Sequence, residues 1–140
     1  MTRNYWLMKS EPDVYGWDHL VKDGEGYWDG VRNNAAAGHM KAMKPGDHAF
    51  FYHSNIGKEA VGIMEIAAAA EPDRTDETGR WVAVRVKPLK ALKNPVSLAA
   101  MKAEKKLADM VMLQQSRLSV APLSAAQWQV ILEMSEGKTP

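Results

Sequence analysis

Strands outnumber helices in this chain, and that predicts an α+β fold: a small, mostly antiparallel sheet curled into a barrel, with short peripheral helices over its open parts. Three observations carry the expectation. Apolar stretches of strand length recur from Tyr5 to about Val120. Segments with helical spacing are short, and they fall between strands or at the end. One polar segment, Glu71 to Gly79, separates two strand-like stretches as a hairpin loop does.

The elements follow in order. Tyr5 to Lys9 reads as the first strand, stopped by Pro12, and Trp17 to Val21 suits a short helical turn. Asn33 has the chemistry to cap a helix running from Asn34 to Met43, with Ala36, Met40 and Met43 towards the core. Pro45-Gly46 is a turn signal, and Ala49 to Ser54 follows it as a strand. There Phe50, Tyr52 and Ser54 share one face, and Phe51 and His53 the other. Val61 to Ala69 is the next strand, with Gly62 inside it. Trp81 to Lys87 alternates cleanly, Val82, Val84 and Val86 on one face and Arg85 and Lys87 on the other. Ser97 caps a helix carrying Leu98 and Met101; Met110 to Leu113 and Arg117 to Val120 read as short strands. Ser124-Ala125-Ala126-Gln127 has capping-box form ahead of Trp128, Ile131 and Leu132, and Gly137 stops that helix.

Length and composition narrow the class. With 140 residues, 46% hydrophobic and 25% charged, the chain suits one compact domain over residues 1–136 and a short tail at 137–140. It has no cysteine, which excludes disulfides, thiolate metal sites and a Cys nucleophile, and fits a reducing compartment. No signal-peptide core precedes Tyr5, and the smooth stretch from Ala67 to Ala70 is far too short for a membrane span. A cytoplasmic, monomeric protein with no membrane partner is expected. The net charge of +1 conceals a bias: Arg80 to Arg117 holds nine basic residues against two acids. That bias suits either a basic face or an ordinary solvated surface.

Catalytic signatures are absent. His19, His39, His48 and His53 match no metal-ligand spacing, no Gly-x-Ser-x-Gly turn is present, and no Gly-rich phosphate loop occurs. No catalytic residue, metal or cofactor is expected. Binding chemistry is better represented, in the strings Tyr5-Trp6-Leu7-Met8-Lys9-Ser10-Glu11-Pro12 and Trp28-Asp29-Gly30-Val31-Arg32-Asn33. A flat ring beside hydrogen-bonding groups suits a flat polar ligand such as a nucleobase. An Asn amide both donates and accepts, and an Arg pairs with phosphate or carboxylate. The residues equally admit plainer roles: Trp6 and Trp28 as core, Asn33 as a helix cap, Lys9-Ser10-Glu11 as the polar start of a loop, and His53 as a packed histidine.

Four strings in order resemble one family. These two, Gly46-Asp47 leading to Phe50-Phe51-Tyr52-His53-Ser54, and Arg117-Leu118-Ser119-Val120 with Pro122, are similar to the EVE domain family (thymocyte nuclear protein 1-like) from Tyr5 to about Met134. The resemblance implies a PUA-like β-barrel. It also implies a non-catalytic reader of a modified nucleobase, such as 5-methylcytosine or an oxidised derivative, in DNA or RNA. The base would enter an aromatic-walled pocket. Carried onto this chain, it implies nucleobase contacts from Trp28, Asn33, Trp6, Ser10, Tyr52, His53 and Ser54, and rim or phosphate contacts from Lys9, Glu11, Arg32, Arg117 and Ser119. Two other readings compete: an enzyme acting on a nucleoside or small planar substrate with His53 and Glu11 as acid and base, and a protein-interaction module.

Overall fold

The structure is a computed structural model that describes residues 3–137. Met1 and Thr2, ahead of the first strand, and residues 138–140 of the expected tail lie outside the described residues.

Strand β1 (Tyr5–Ser10) lies inside the sheet, parallel to β3 (His48–His53) and antiparallel to β6 (Val120–Leu123). A parallel pair needs a long crossover. Here the crossover contains α1 (Pro12–Tyr15), α2 (Trp17–Asp23), β2 (Gly26–Trp28) and α3 (Asn34–Ala42). The sheet continues antiparallel from β3 to β4 (Glu59–Pro72), from β4 to β5 (Val82–Ser97), and from β5 to β2. Helix α4 (Leu98–Ala103), a single 3-10 turn (Lys105–Leu107) and α5 (Val111–Gln114) lead to β6, and α6 (Ala125–Ser135) follows it.

The resulting order is β2-β5-β4-β3-β1-β6, with β2 and β6 at its ends. The mixed architecture and mostly antiparallel sheet agree with the pattern reading. The closed barrel does not: the six-stranded ladder is open. Four shifts of register between β4 and β5 interrupt it, and such bulges bend and twist the strands that carry them.

Two aromatic clusters hold the middle strands. On one face Phe50 stacks on Trp128 of α6 at 3.9 Å, and Tyr5 of β1 stacks on the same indole at 4.7 Å. On the other, Phe51 is met edge-on by Trp17 at 5.6 Å and by Trp28 at 5.3 Å. Such pairs contribute about 0.5–1.5 kcal/mol each beyond the area they bury. Both faces of β3 are therefore core. The turn before β3 is fastened by the buried Asp47. It accepts hydrogen bonds from the Trp6 indole N–H (3.0 Å) and from the backbone N–H groups of Lys44 (2.9 Å) and Asn4 (3.1 Å).

Helix starts agree with the capping chemistry. Asn33, Ser97 and Ser124 accept from the backbone N–H groups of Ala36, Ala100 and Gln127, and the Ser124–Gln127 box is reciprocal. Two expected strands are corrected. Met110 to Leu113 is mostly helix α5, because Gln114 and Gln115 return their N–H groups to Met110 and Val111. Alternation over four residues cannot separate a buried turn of helix from a strand. Arg117 to Ser119 belongs to a turn, with Leu118 N–H on the Gln115 carbonyl, and β6 starts only at Val120. Strand β5 also runs ten residues past the expected Lys87, to Ser97. Pro88 interrupts the strand signal, but it pairs with Met64 beside a register shift, where proline is tolerated.

Gly62 has a packing reason. A Cβ there would stand 2.6 Å from atoms of the Trp17 indole, which lies on the glycine backbone. Gly62→Ala is expected to lower stability by about 1–3 kcal/mol, read as a shifted urea midpoint. An unchanged midpoint would show that Trp17 can move aside.

Candidate functional site

The two ends of the open sheet flank a cavity of about 720 Å³. From one end come Lys9 and Ser10 of β1 and Ser119 of the turn before β6; from the other come β2 and the loop after it, Gly26 to Arg32. Val14 and Tyr15 of α1 and Asp23 of α2 complete the lining with Glu25. The cavity thus occupies the seam that a closed barrel would zip.

Local sequence sets each wall. Gly26 lets β2 approach the helices: a Cβ there would meet Leu20 at 2.8 Å and the Tyr15 hydroxyl at 3.0 Å. Trp28 comes next but one and is only 7% exposed, so it shows the cavity a margin of its ring while Phe51 supports the rest. Ser10 donates its hydroxyl to the Tyr15 carbonyl at 2.6 Å, tying β1 to α1. Lys9 reaches the Ser116 carbonyl at 2.8 Å and lies 5.8 Å from the Tyr52 ring centre; burial lowers its pKa. Tyr15 donates to Asp23 at 3.2 Å, and burial followed by that carboxylate pushes its hydroxyl up to about 12.

The loop from Trp28 to Asn33 is anchored from across the fold. Buried Asp73, at the end of β4, accepts from Gly30 N–H (2.9 Å), Arg32 (3.0 Å), and the N–H and hydroxyl of Thr75 (2.7 and 2.6 Å). Burial alone raises its carboxyl, but the hydrogen bonds from Thr75, Gly30 and Arg32 outweigh that and hold it well below the usual range. Arg32 also donates to Thr75 Oγ1 at 3.1 Å and sits 5.9 Å from the Trp81 ring centre. Arg80 stacks closer on Trp81, at 4.6 Å, and Arg74 lies 5.1 Å from the Tyr27 ring. Gly30 itself takes a left-handed φ of 77°, which suits glycine.

Of the residues named from sequence, Trp28, Ser10, Lys9, Arg32 and Ser119 come together in the cavity. The others stand elsewhere. Asn33 caps α3 and, with Arg117, lines a separate cavity of about 350 Å³. Trp6 is 5% exposed and bound to Asp47. Tyr52 is buried, and burial followed by Glu59 pushes its hydroxyl up to about 12. His53 Nε2 accepts the Trp17 backbone N–H at 3.1 Å, and burial lowers its pKa, so the ring is neutral at pH 7. Ser54 donates its backbone N–H to the Ser10 carbonyl at 2.9 Å, and Glu11 is exposed ahead of α1. The basic run from Arg80 to Arg117 contributes nothing to the cavity lining.

Tyr15, Asp23, Glu25, Tyr27 and Asp29 also line the cavity, and Asp73 anchors its loop, without a signal in the sequence pattern that marks them. Tyr27 and Asp29 flank Trp28 in the sequence, but a lone Tyr and a lone Asp beside a turn carry no spacing signal of their own. Asp73 had only turn composition as a signal. Burial and the charge of Asp73 raise the Asp29 carboxyl above its ordinary value, partly offset by its own backbone N–H and by Arg32. Among the described residues, no three His, Asp or Glu side chains are grouped to hold a metal ion, and no helix is long and apolar enough to cross a membrane.

A family model described as EVE domain matches residues 4–134. Thymocyte nuclear protein 1 of Rattus norvegicus is 33% identical over 169 residues, spanning 96% of this chain and 75% of that protein. A Rhodopseudomonas palustris protein solved by NMR is 51% identical, with a TM-score of 0.90 over 98% of this chain and 96% of the other. The human THYN1 protein, solved in complex with 5-methylcytosine-containing DNA, is 32% identical. It superposes with a TM-score of 0.88 over 98% of this chain and 99% of its own.

The Asp73 anchor makes a signed prediction. Asp73→Ala is expected to cost about 3 kcal/mol at pH 7, since hydrogen bonds to a charged group are each worth roughly 1.5–3 kcal/mol. The folded carboxyl titrates below the unfolded one, so its stabilisation is complete above about pH 4 and is lost as pH falls towards the folded value. In urea titrations, the gap between wild type and variant should narrow steadily below about pH 4. A gap that stays constant with pH would refute this charge-based anchoring.

Proposed function

This chain belongs to the EVE domain family, and from that membership we propose that it is a non-catalytic module that reads a modified nucleobase in DNA or RNA. The observation that carries the reading is the cavity between the two sheet ends, bordered by Trp28, in a chain so close in fold to a protein crystallised with 5-methylcytosine-containing DNA. Its volume of about 720 Å³ falls in the range of small-ligand sites, roughly 300–1,000 Å³.

A base flipped out of a strand would enter this seam. Trp28 and Tyr27 offer aromatic surface, while Ser10, Lys9 and Ser119 form the opposite wall. Arg32 is tied to Asp73, which suits it to shaping the loop; Arg117, exposed in the turn before β6, is the freer cation for a phosphate. Asn33 acts as the cap that aims the α3 N-terminus. Tyr52 and Ser54 support the Lys9–Ser10 wall, through the Lys9 ammonium near the Tyr52 ring and the Ser54 N–H on the Ser10 carbonyl, while Trp6 is bound to Asp47 away from the cavity. The absence of catalysis is part of the proposal. His53 is the best acid–base candidate, yet its Nε2 is occupied by a backbone N–H and it does not line the cavity.

We read residues 1–136 as a single monomeric module, and the curled sheet as a relative of the PUA-like barrels. The lack of cysteine is in keeping with a cytoplasmic setting.

Oligonucleotides carrying one 5-methylcytosine or one cytosine, single-stranded and duplex, test the function by fluorescence anisotropy. Wild type should prefer the methylated base, bind the unmodified duplex weakly because a net charge of +1 leaves phosphate attraction modest, and lose affinity with added salt as its phosphate contacts are screened. Trp28→Ala should weaken binding by on the order of 1–3 kcal/mol, the worth of one stacked base. Because Trp28 is also core, a thermal melt must show the variant folded. Equal binding by folded variant and wild type would remove Trp28 from the pocket.

A further inference from the structure

The polar lining of the cavity is rich in acceptors. Its carboxylates are Asp23, Glu25 and Asp29, and its cations are Lys9 and Arg32. Both cations already have partners: Arg32 is bound by Asp73, and Lys9 donates to the Ser116 carbonyl. Asp23 receives the Tyr15 hydroxyl, while Glu25 stands before Gly26, at the far end of β2 from the loop. Asp29 directly follows Trp28, the ring offered for stacking, and no other residue's side chain bonds its carboxylate among the described residues. Its backbone is fixed by the next residue, since Gly30 N–H is bound to Asp73. The carboxylate is exposed at the cavity rim and is bonded only by its own backbone N–H, so it is open to a donor from a ligand.

A ligand for such a wall must bring donors. Among pyrimidines, cytosine and its C5-modified forms carry an amino group at C4, whereas thymine carries a carbonyl oxygen there. A C5-methyl group does not separate 5-methylcytosine from thymine, because thymine has it too. Discrimination has to come from the edge that includes C4. We propose that the Asp29 carboxylate accepts a hydrogen bond from the C4 amino group of the bound base, so that the cavity selects 4-aminopyrimidines and rejects thymine. This rests on the base-reading function proposed above and specifies its ligand class. Thymine would put its O4 lone pairs against the carboxylate, acceptor against acceptor, where the amino group of cytosine would donate a hydrogen bond.

The test uses single-stranded oligonucleotides of one sequence, otherwise free of thymine, with 5-methylcytosine, cytosine or thymine at the centre. Wild type should bind the 5-methylcytosine strand about tenfold tighter than the thymine strand, within the range for reading one base edge. In Asp29→Asn, whose amide can donate to O4, that preference should collapse to within about twofold. In Asp29→Ala the preference should also collapse, with weaker binding of 5-methylcytosine; melts of both variants check folding. Folded variants that keep the wild-type preference would overturn the assignment of Asp29, as would a wild type that prefers 5-methylcytosine over cytosine but not over thymine. A wild type indifferent to all three bases would overturn the base-reading function and this inference with it.

Discussion

Phe51 bears two indoles at once, Trp17 from α2 and Trp28 from β2, each edge-on to its ring. The rest of the site depends on that cluster. Phe51 sits on β3 in the middle of the sheet, and Trp28 on β2 at one end of it, three strands away in the ladder order. Flat strands cannot bring these residues into contact; a curled sheet can. The bulges of β4 and β5 supply the bend, and Gly62 leaves the space for Trp17 to lie flat on the backbone. Burial of three large rings in one cluster then makes the curled form the stable one.

Two buried aspartates do for the loops what the rings do for the sheet. Asp47 gathers donors from three places around the start of β3, and Asp73 gathers them from two loops at the β2 edge. Each loop would otherwise present unmatched backbone N–H groups, and a carboxylate with several acceptor positions satisfies them together. Asp73 also decides what Arg32 is for. An arginine beside a candidate nucleic-acid site invites a phosphate, yet this one already has its counter-charge, half-shielded against Trp81. The rim is shaped by internal salt bridging and stacking more than by free positive charge.

Much of this was legible from the residues. The Asn33, Ser97 and Ser124 caps announce themselves because their chemistry is local, and the bonds they predict are present. The first halves of the strands show through their alternation. Long-range features left no such mark. The three-residue β2 exists because β5 pairs with it, and Pro88 hid the second half of β5. For the cavity, the Trp28 string contained four of the lining residues that matter most, Trp28, Asp29, Gly30 and Arg32. Asn33 and Arg117, read as part of the same site, instead share a neighbouring cavity, because α3 turns the chain away immediately after Arg32. The anchoring role of Asp73 was illegible: its local bonds to Thr75 look like an ordinary turn, and Gly30 and Arg32 lie more than forty residues earlier in the chain.

The pairing of β6 with β1 has a consequence for the order of events in synthesis. A ribosome delivers Lys9 and Ser10 early, but Ser119, whose carbonyl takes the Lys9 N–H at 2.8 Å, arrives more than a hundred residues later. Until then one edge of β1 is an open template for any passing strand. The fold is dominated by such non-local closures, which are slow to form and expose apolar edges meanwhile. A nascent chain ending before Ser119 lacks both the β6 edge and part of one wall of its cavity. Binding competence and protection of the β1 edge therefore arrive together, with the same late segment of chain.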